Sequence, residues 1–83
     1  MKNITNQTVN KFGKIMTHWD DDTWNAEWPG GTRFWYKDLL RHREDGPAVE
    51  YPGGYKEWWF NGEEINCSSQ EEFLRIMKLK VFW

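Results

Sequence analysis

Two copies of one unit, offset by 23 residues, lie in the middle of this sequence. The Pro-Gly-Gly string at residues 29–31 matches the one at 52–54, and Trp35 matches Trp58. Charge and aromaticity also correspond at several positions between these identities. A repeat of this length indicates stacked supersecondary units, because each unit is too small to bury its own apolar face.

Each copy is predicted to form a β-hairpin. A short run enters the Pro-Gly-Gly turn, where proline fixes φ and a glycine accepts positive φ. A second run, at residues 32–37 or 55–60, leaves the turn and is rich in aromatic residues that favour strands. Asn61-Gly62 then predicts a tight turn into a further strand around Glu64-Ile65. The first copy has Asp38-Leu39 at this point, so its turn must differ.

The residues on the N-terminal side of the repeats carry weaker signals. Residues 1–10 are polar, and we expect them to be loose. Residues 11–19 are interpreted as a degenerate leading strand, so that the hairpin repeats span residues 11–65. Asp20, Asp21 and Asp22 lack the spacing of a calcium-binding loop, and we interpret them as a solvated turn.

A C-terminal helix is predicted within residues 66–83. Ser69 and Glu72 form a capping box, and an apolar stripe at helical spacing follows it, containing Phe73, Ile76 and Met77. The apolar tail at residues 81–83 either completes the core or contacts a partner subunit. We therefore predict a single α+β domain over residues 1–83: a small antiparallel β-meander of repeated hairpins capped by a C-terminal α-helix.

A family resemblance supports this architecture. The string from His42 to Ala48, His-Arg-Glu-Asp-Gly-Pro-Ala, precedes Tyr-x-x-Gly, a group of aromatics and Asn-Gly. It resembles the MORN repeat, especially its variant in antitoxin-like and phage-encoded proteins. The resemblance covers roughly residues 19–65, with one good copy and one degraded copy. It implies a β-meander, a non-enzymatic binding role and, through the phage-encoded members, inhibition of a host or anti-phage defence component.

Composition limits how such a small domain can be stabilised. One cysteine excludes an intramolecular disulfide, and two histidines beside it provide no zinc set, so we expect neither a metal nor a cofactor. Seven tryptophans among 83 residues are the predicted compensation, because buried indoles contribute large apolar areas. Homodimerisation is the other usual route for a chain with open sheet edges.

Charge and hydropathy exclude several classes of partner. The net charge of −2 and pI near 5.6 give no broad basic footprint, which disfavours binding to duplex nucleic acid. No run approaches about 18 consecutive apolar residues, so we expect no membrane segment. The first ten residues lack the apolar block of a secretory signal. We expect a cytoplasmic protein, located in the host cytoplasm if it is phage-encoded.

Catalysis is not expected from this sequence. His42 lies near Glu44 and Asp45, but no nucleophile in a suitable setting accompanies it. Its predicted role is a hydrogen bond that shapes the turn leading to Gly46. Cys67 is interpreted as a buried or half-buried thiol.

The candidate binding residues combine cations and indoles. Strand alternation places Arg33, Trp35 and Lys37 on one face, with Lys56 and Trp58 in register, and this pattern is able to stack a base and pair its phosphates. Arg41 and Arg43 flank His42 and add phosphate donors. The alternative is that Trp35 and Trp58 are core residues under the C-terminal helix. The predicted ligand- or partner-binding set is Arg33, Trp35, Lys37, Arg41, His42, Arg43, Lys56 and Trp58.

Two functions fit these features. In the first, an exposed aromatic patch anchors a protein partner, which is a host or defence protein, and acidic rims provide specificity. In the second, a Trp and Arg pocket sequesters a cyclic or other signalling nucleotide.

Overall fold

An antiparallel meander contains most of the chain. The computed structural model describes residues 2–81, and its strands are β1 (Ile4–Val9), β2 (Ile15–Trp19), β3 (Thr23–Glu27), β4 (Arg33–Lys37), β5 (Leu40–Arg41), β6 (Val49–Glu50), β7 (Lys56–Phe60) and β8 (Glu63–Ile65). Neighbouring strands follow the order β1-β2-β3-β4-β6-β7-β8, and β5 pairs with β4. One helix, α1 (Gln70–Val81), follows the last strand. The predicted fold class is confirmed.

The two Pro-Gly-Gly turns are closed by equivalent hydrogen bonds. In the first, the amides of Gly31 and Trp28 donate to the carbonyls of Trp28 and Thr32, both at 2.9 Å. In the second, the Gly54 amide donates to Tyr51 at 3.0 Å and the Tyr51 amide donates to Tyr55 at 2.9 Å. The third residue of each string takes positive φ, 102° and 95°, which favours glycine.

The turns that end the two copies differ, as predicted. Asp38 and Asn61 occupy equivalent positions and both adopt positive φ, 55° and 49°. Gly62 follows Asn61 with a φ of 83°, whereas Leu39 does not take positive φ. A type I′ turn needs positive φ at both central residues, so only the Asn-Gly pair meets that requirement.

The prediction that residues 1–10 are loose is wrong, because Ile4–Val9 form strand β1 against β2. A turn stabilised by the Asn10 side chain makes this pairing possible: its Oδ1 accepts from the amides of Phe12 and Lys14 at 2.8 and 3.0 Å. The side-chain amide of Gln7 also donates to the Thr17 hydroxyl at 2.9 Å. All residues of β1 are exposed, so hydrogen bonding accounts for this strand and an apolar pattern does not.

The core lies between α1 and the last two strands. Trp58, Ile65 and Phe73 are buried together, and the partly buried residues packed against them are Phe60, Cys67, Ile76 and Met77. The Trp58 indole donates to Gln70 Oε1 at 2.8 Å, which ties the sheet to the first turn of the helix. The interpretation of Trp58 as a core residue under the helix is therefore confirmed. The predicted role of Phe82 and Trp83 lies outside the described residues.

Replacing Ser69 with alanine should lower the free energy of unfolding by about 1 kcal/mol, the usual effect of losing an N-cap. Ser69 Oγ accepts from the Glu72 amide at 3.1 Å, as the capping box predicts. Ser68→Ala is the matched control, because its hydroxyl makes only a 3.5 Å contact with the Glu72 carboxylate. Urea denaturation followed by circular dichroism measures both variants, and equal effects would contradict the assigned cap.

Candidate binding surface

The string from His42 to Ala48 builds a structural loop. His42 is only 3% exposed, its Nδ1 accepts from the Asn61 amide at 2.9 Å, and its ring packs on Phe60 at 4.7 Å between centroids. His42 therefore makes a structural hydrogen bond to the turn at Asn61, and it also makes the predicted contact with the loop leading to Gly46. Its Nε2 lies 3.3 Å from Glu44 Oε2.

Arg43 holds the other half of this loop. Its guanidinium stacks on the Trp35 ring at 3.9 Å, and it donates to Asp45 Oδ1 at 2.8 Å and to the Pro47 carbonyl at 3.1 Å. This hydrogen bond lowers the pKa of Asp45 below its usual value of 3.8. A Cβ at Gly46 would lie 2.7 Å from Arg43 Cζ, so glycine is needed for the guanidinium to take this position. The motif residues therefore shape the loop and leave Arg43 neutralised.

Strand register places the predicted stacking residues on one face of the sheet. The indoles among them are covered by other groups of the chain. Arg33 faces Glu50, which faces Lys56 on the next strand. Trp58 is 5% exposed beneath α1, and Arg43 covers the half-buried Trp35. Arg33 is paired with Glu27 and Glu50, while Lys37 and Lys56 are exposed. Both indoles of the predicted site are thus covered by groups of the chain itself, and the binding role of the eight residues stays a prediction.

Two other polar features have structural roles. Asp21 accepts hydrogen bonds from the amide and hydroxyl of Thr23, which lower the pKa of its carboxyl, and it pairs with Lys2. The acidic string thus forms the turn between β2 and β3, as expected. Cys67 is half-buried, and desolvation by burial, assisted by the Glu72 carboxylate, raises the pKa of its thiol. This shift disfavours the nucleophilic thiolate.

The opposite face of the sheet carries an aromatic surface that α1 does not cover, and Ala26 and Val49 on this same face are buried beneath its side chains. A row of directly opposed residues crosses four strands, because His18 faces Trp24, Trp24 faces Tyr36 and Tyr36 faces Arg41. Opposed residues in antiparallel strands project from the same face. Helix α1 packs on the other face, against Trp58 and Ile65. We call this surface the aromatic face, and it consists of His18, Trp24, Phe34, Tyr36, Arg41 and Trp59, all half-buried.

The rings in this row stack on one another. The Trp24 and Tyr36 centroids are 4.3 Å apart with an angle of 14° between the ring planes, and His18 lies 5.6 Å from Trp24 at 20°. The Trp24 indole N–H donates to the Asp38 carbonyl at 2.8 Å. The Trp24 ring therefore lies between those of His18 and Tyr36, and the stacking covers one face of each outer ring.

Arg41 is held on the aromatic face between two further rings. Its Cζ lies 5.2 Å from the Phe34 centroid and 4.9 Å from the Trp59 centroid. Its Nε is buried and has no hydrogen-bond partner among the described residues. No described carboxylate lies within 4.0 Å of this guanidinium, whereas the other three arginines each pair with at least one carboxylate.

Of the eight residues predicted to bind a ligand or partner, the aromatic face contains only Arg41. Phe34 and Tyr36 were recognisable as the alternate set to Trp35 in the same strand, and Trp59 as the alternate to Trp58. The sequence did not indicate which face of the sheet the helix covers. That choice depends on Phe73 meeting Trp58 and Ile65, which are distant in sequence from the first hairpin.

No family model, curated protein or solved structure matches the chain. The resemblance of the His42 to Ala48 string to MORN-like repeats therefore remains a prediction. Within residues 2–81, no helix has the length and apolar character needed to cross a bilayer. No group of three or more His, Cys, Asp or Glu side chains in the same described part of the chain is arranged to hold a metal ion.

Proposed function

We propose that this chain is a small binding protein without enzymatic activity that inhibits a host or defence component by docking on a protein partner. The observation that carries the proposal is the uncovered aromatic face. Trp, Tyr and Arg are the residues that most often dominate binding energy at protein interfaces, and this face brings Trp24, Tyr36, Arg41 and Trp59 together.

The aromatic face would form the centre of an interface. A standard interface buries about 800 Å² of each partner. The six half-buried residues supply only part of that area, so the partner would also contact exposed residues around them. The half-buried rings are already ordered by stacking, which reduces the side-chain entropy lost on binding.

The state of the rings favours a protein over a stacked nucleotide. A base stacks on an open aromatic face. On the aromatic face, Trp24 and Tyr36 cover each other, and Arg41 lies over Phe34 and Trp59. The parts of these half-buried rings that stay accessible are suited to packing against the side chains of a protein.

The cavity beside Trp35 also opposes the nucleotide alternative. It has a volume of about 210 Å³, and three carboxylates contribute to its lining: Asp21, Glu44 and Asp45. Two cations, Lys2 and Arg43, also line it, but both are already paired with carboxylates of the chain. A phosphate entering this cavity would meet like charges, which is unfavourable.

Replacing Tyr36 with alanine should abolish partner binding, because it removes the central ring of the row. In-cell cross-linking of the tagged chain, followed by quantitative mass spectrometry, should identify a protein enriched with the wild type and lost with Tyr36→Ala. Leu79→Ala is the control, since Leu79 is 56% exposed on α1, which packs on the opposite face of the sheet. The purified partner should then lose activity when the wild-type chain is added, and retain it with Tyr36→Ala.

Thermal melting shows whether Tyr36→Ala is folded, and Trp24→Phe provides a milder second variant. The proposal fails if the same protein is enriched equally with Tyr36→Ala. It also fails if native mass spectrometry of the purified chain shows a bound nucleotide and no protein partner is enriched.

A further inference from the structure

We infer that Arg41 recognises a carboxylate, and that the partner therefore presents an acidic segment to the aromatic face. The inference rests on the proposed function, because it concerns the same surface. It adds the chemistry of the partner, an Asp or Glu side chain in an exposed stretch of chain that also carries apolar residues.

The first reason is the unmet hydrogen bonding of Arg41. A buried N–H without an acceptor costs free energy, and a guanidinium carries five donors suited to two carboxylate oxygens at once. Arg33, Arg43 and Arg75 meet part of this need within the chain through Glu27, Asp45 and Glu71, respectively. Arg41 makes no such pair among the described residues. Its buried Nε is out of reach of an incoming group, but its two terminal nitrogens are accessible and have no described partner, so an external carboxylate is able to bind them.

The second reason is the rigidity of the group. Phe34 lies on one side of Arg41 and Trp59 on the other, with Cζ at 5.2 and 4.9 Å from the two centroids. Both contacts fix the plane of the guanidinium before a ligand arrives. A preorganised guanidinium loses little conformational entropy when it binds. One ion pair with it therefore contributes more binding free energy than one made by a mobile surface lysine.

The carboxylates of the same face do not neutralise Arg41. Glu57 faces Val49 across the strands and accepts from the Trp59 indole at 2.9 Å. Glu64 is opposite Trp59 and exposed. Neither carboxylate lies within 4.0 Å of the Arg41 guanidinium. Both lie beside Trp59 on β7 and β8, so an acid meets less repulsion when it approaches Arg41 from the side of Tyr36, the residue directly opposite Arg41.

The ring edges extend this preference for negative groups. Trp24 and Tyr36 cover one face of each other, and the edge is the positive part of an aromatic quadrupole, as the donation from the Trp24 indole N–H to the Asp38 carbonyl illustrates. A carboxylate or a carbonyl-rich extended segment matches such a surface. A nucleotide phosphate is a poorer match, because it is typically held by several donors, and the other cations of the repeats, Lys37 and Lys56, project from the opposite face.

Selection from a displayed library of random linear peptides tests the inference. The wild-type chain should enrich peptides that contain Asp or Glu beside an apolar residue. By fluorescence anisotropy, the affinity of an enriched peptide should fall at least about tenfold with Arg41→Gln, the usual loss for a charge-assisted pair. Added salt should weaken binding to the wild type more than to Arg41→Gln. Arg33→Gln is the matched control, because that arginine is exposed on the other face.

The outcomes separate this inference from the proposed function. Enriched peptides without acidic residues, whose binding is lost with Tyr36→Ala but unchanged with Arg41→Gln, would overturn the carboxylate assignment and leave protein binding intact. Failure to enrich any acidic peptide overturns the inference as well. If cyclic di-AMP or ATP instead shifts the Trp59 indole signal in an NMR titration and no peptide binds, the proposed function fails too. If Arg41→Gln does not fold, the peptide affinity of Arg41→Lys is compared with that of the wild type instead, because lysine keeps the charge but lacks the planar guanidinium.

Discussion

Replacing Phe73 with alanine should lower the free energy of unfolding by about 3–5 kcal/mol. Phe73 is 1% exposed and joins α1 to Trp58 and Ile65. Small domains have only about 5–15 kcal/mol of stability in total, and a loss of this size brings the chain close to unfolding. Urea denaturation followed by tryptophan fluorescence measures the change.

Leu74→Ala is the control for this experiment. Leu74 is the next residue in the same helix, but it is 48% exposed. Its truncation should cost less than about 1 kcal/mol, because surface substitutions have small effects. Equal midpoints for Phe73→Ala and the wild type would mean that α1 does not pack on β7 and β8, and the assignment of the uncovered face would then fail with it.

The second large effect is expected for His42→Ala, at about 2–4 kcal/mol. The substitution removes the acceptor of the Asn61 amide at 2.9 Å and the ring that packs on Phe60. It thereby loosens the β7–β8 turn as well as the loop that contains the motif. Chemical denaturation gives the free energy, and faster hydrogen exchange at the Asn61 amide would locate the effect.

Glu44→Gln separates the two sides of the imidazole. Glu44 approaches the other ring nitrogen at 3.3 Å, but its side chain is 72% exposed. An exposed ion pair contributes little, so this variant should lose less than about 1 kcal/mol. If His42→Ala is no more destabilising than Glu44→Gln, the buried hydrogen bond to Asn61 does not make the expected contribution to the free energy of unfolding.

Local turn chemistry explains why much of the fold could be predicted. Pro-Gly-Gly and Asn61-Gly62 each specify backbone angles that few other residues adopt, and the structure has positive φ at Gly31, Gly54 and Gly62. The capping box at Ser69 is equally local. Strand β1 could not be predicted in this way, because its exposed polar residues carry no alternating pattern. Its formation depends on pairing with β2 through the turn at Asn10.

The binding surface was harder to predict than the fold for a different reason. Alternation divides β7 into two sets of residues, and the adjacent Trp58 and Trp59 look equivalent in sequence. Contact with Phe73 buries Trp58, whereas Trp59 remains beside Arg41 on the uncovered side. The same applies to Arg41 and Arg43, since Asp45 neutralises only the second. Tertiary packing decided both cases, and neither depends on local propensity.

The matching closure of the two Pro-Gly-Gly turns has a consequence for how such a chain can change its size. Both turns return the backbone with the same pair of hydrogen bonds, so the two hairpins are closed in an equivalent geometry. Duplication of one unit within the coding sequence would therefore lengthen the sheet while the helix still closes its last two strands. Growth by whole units offers a route from a short recognition platform to a longer one without a new hydrophobic core.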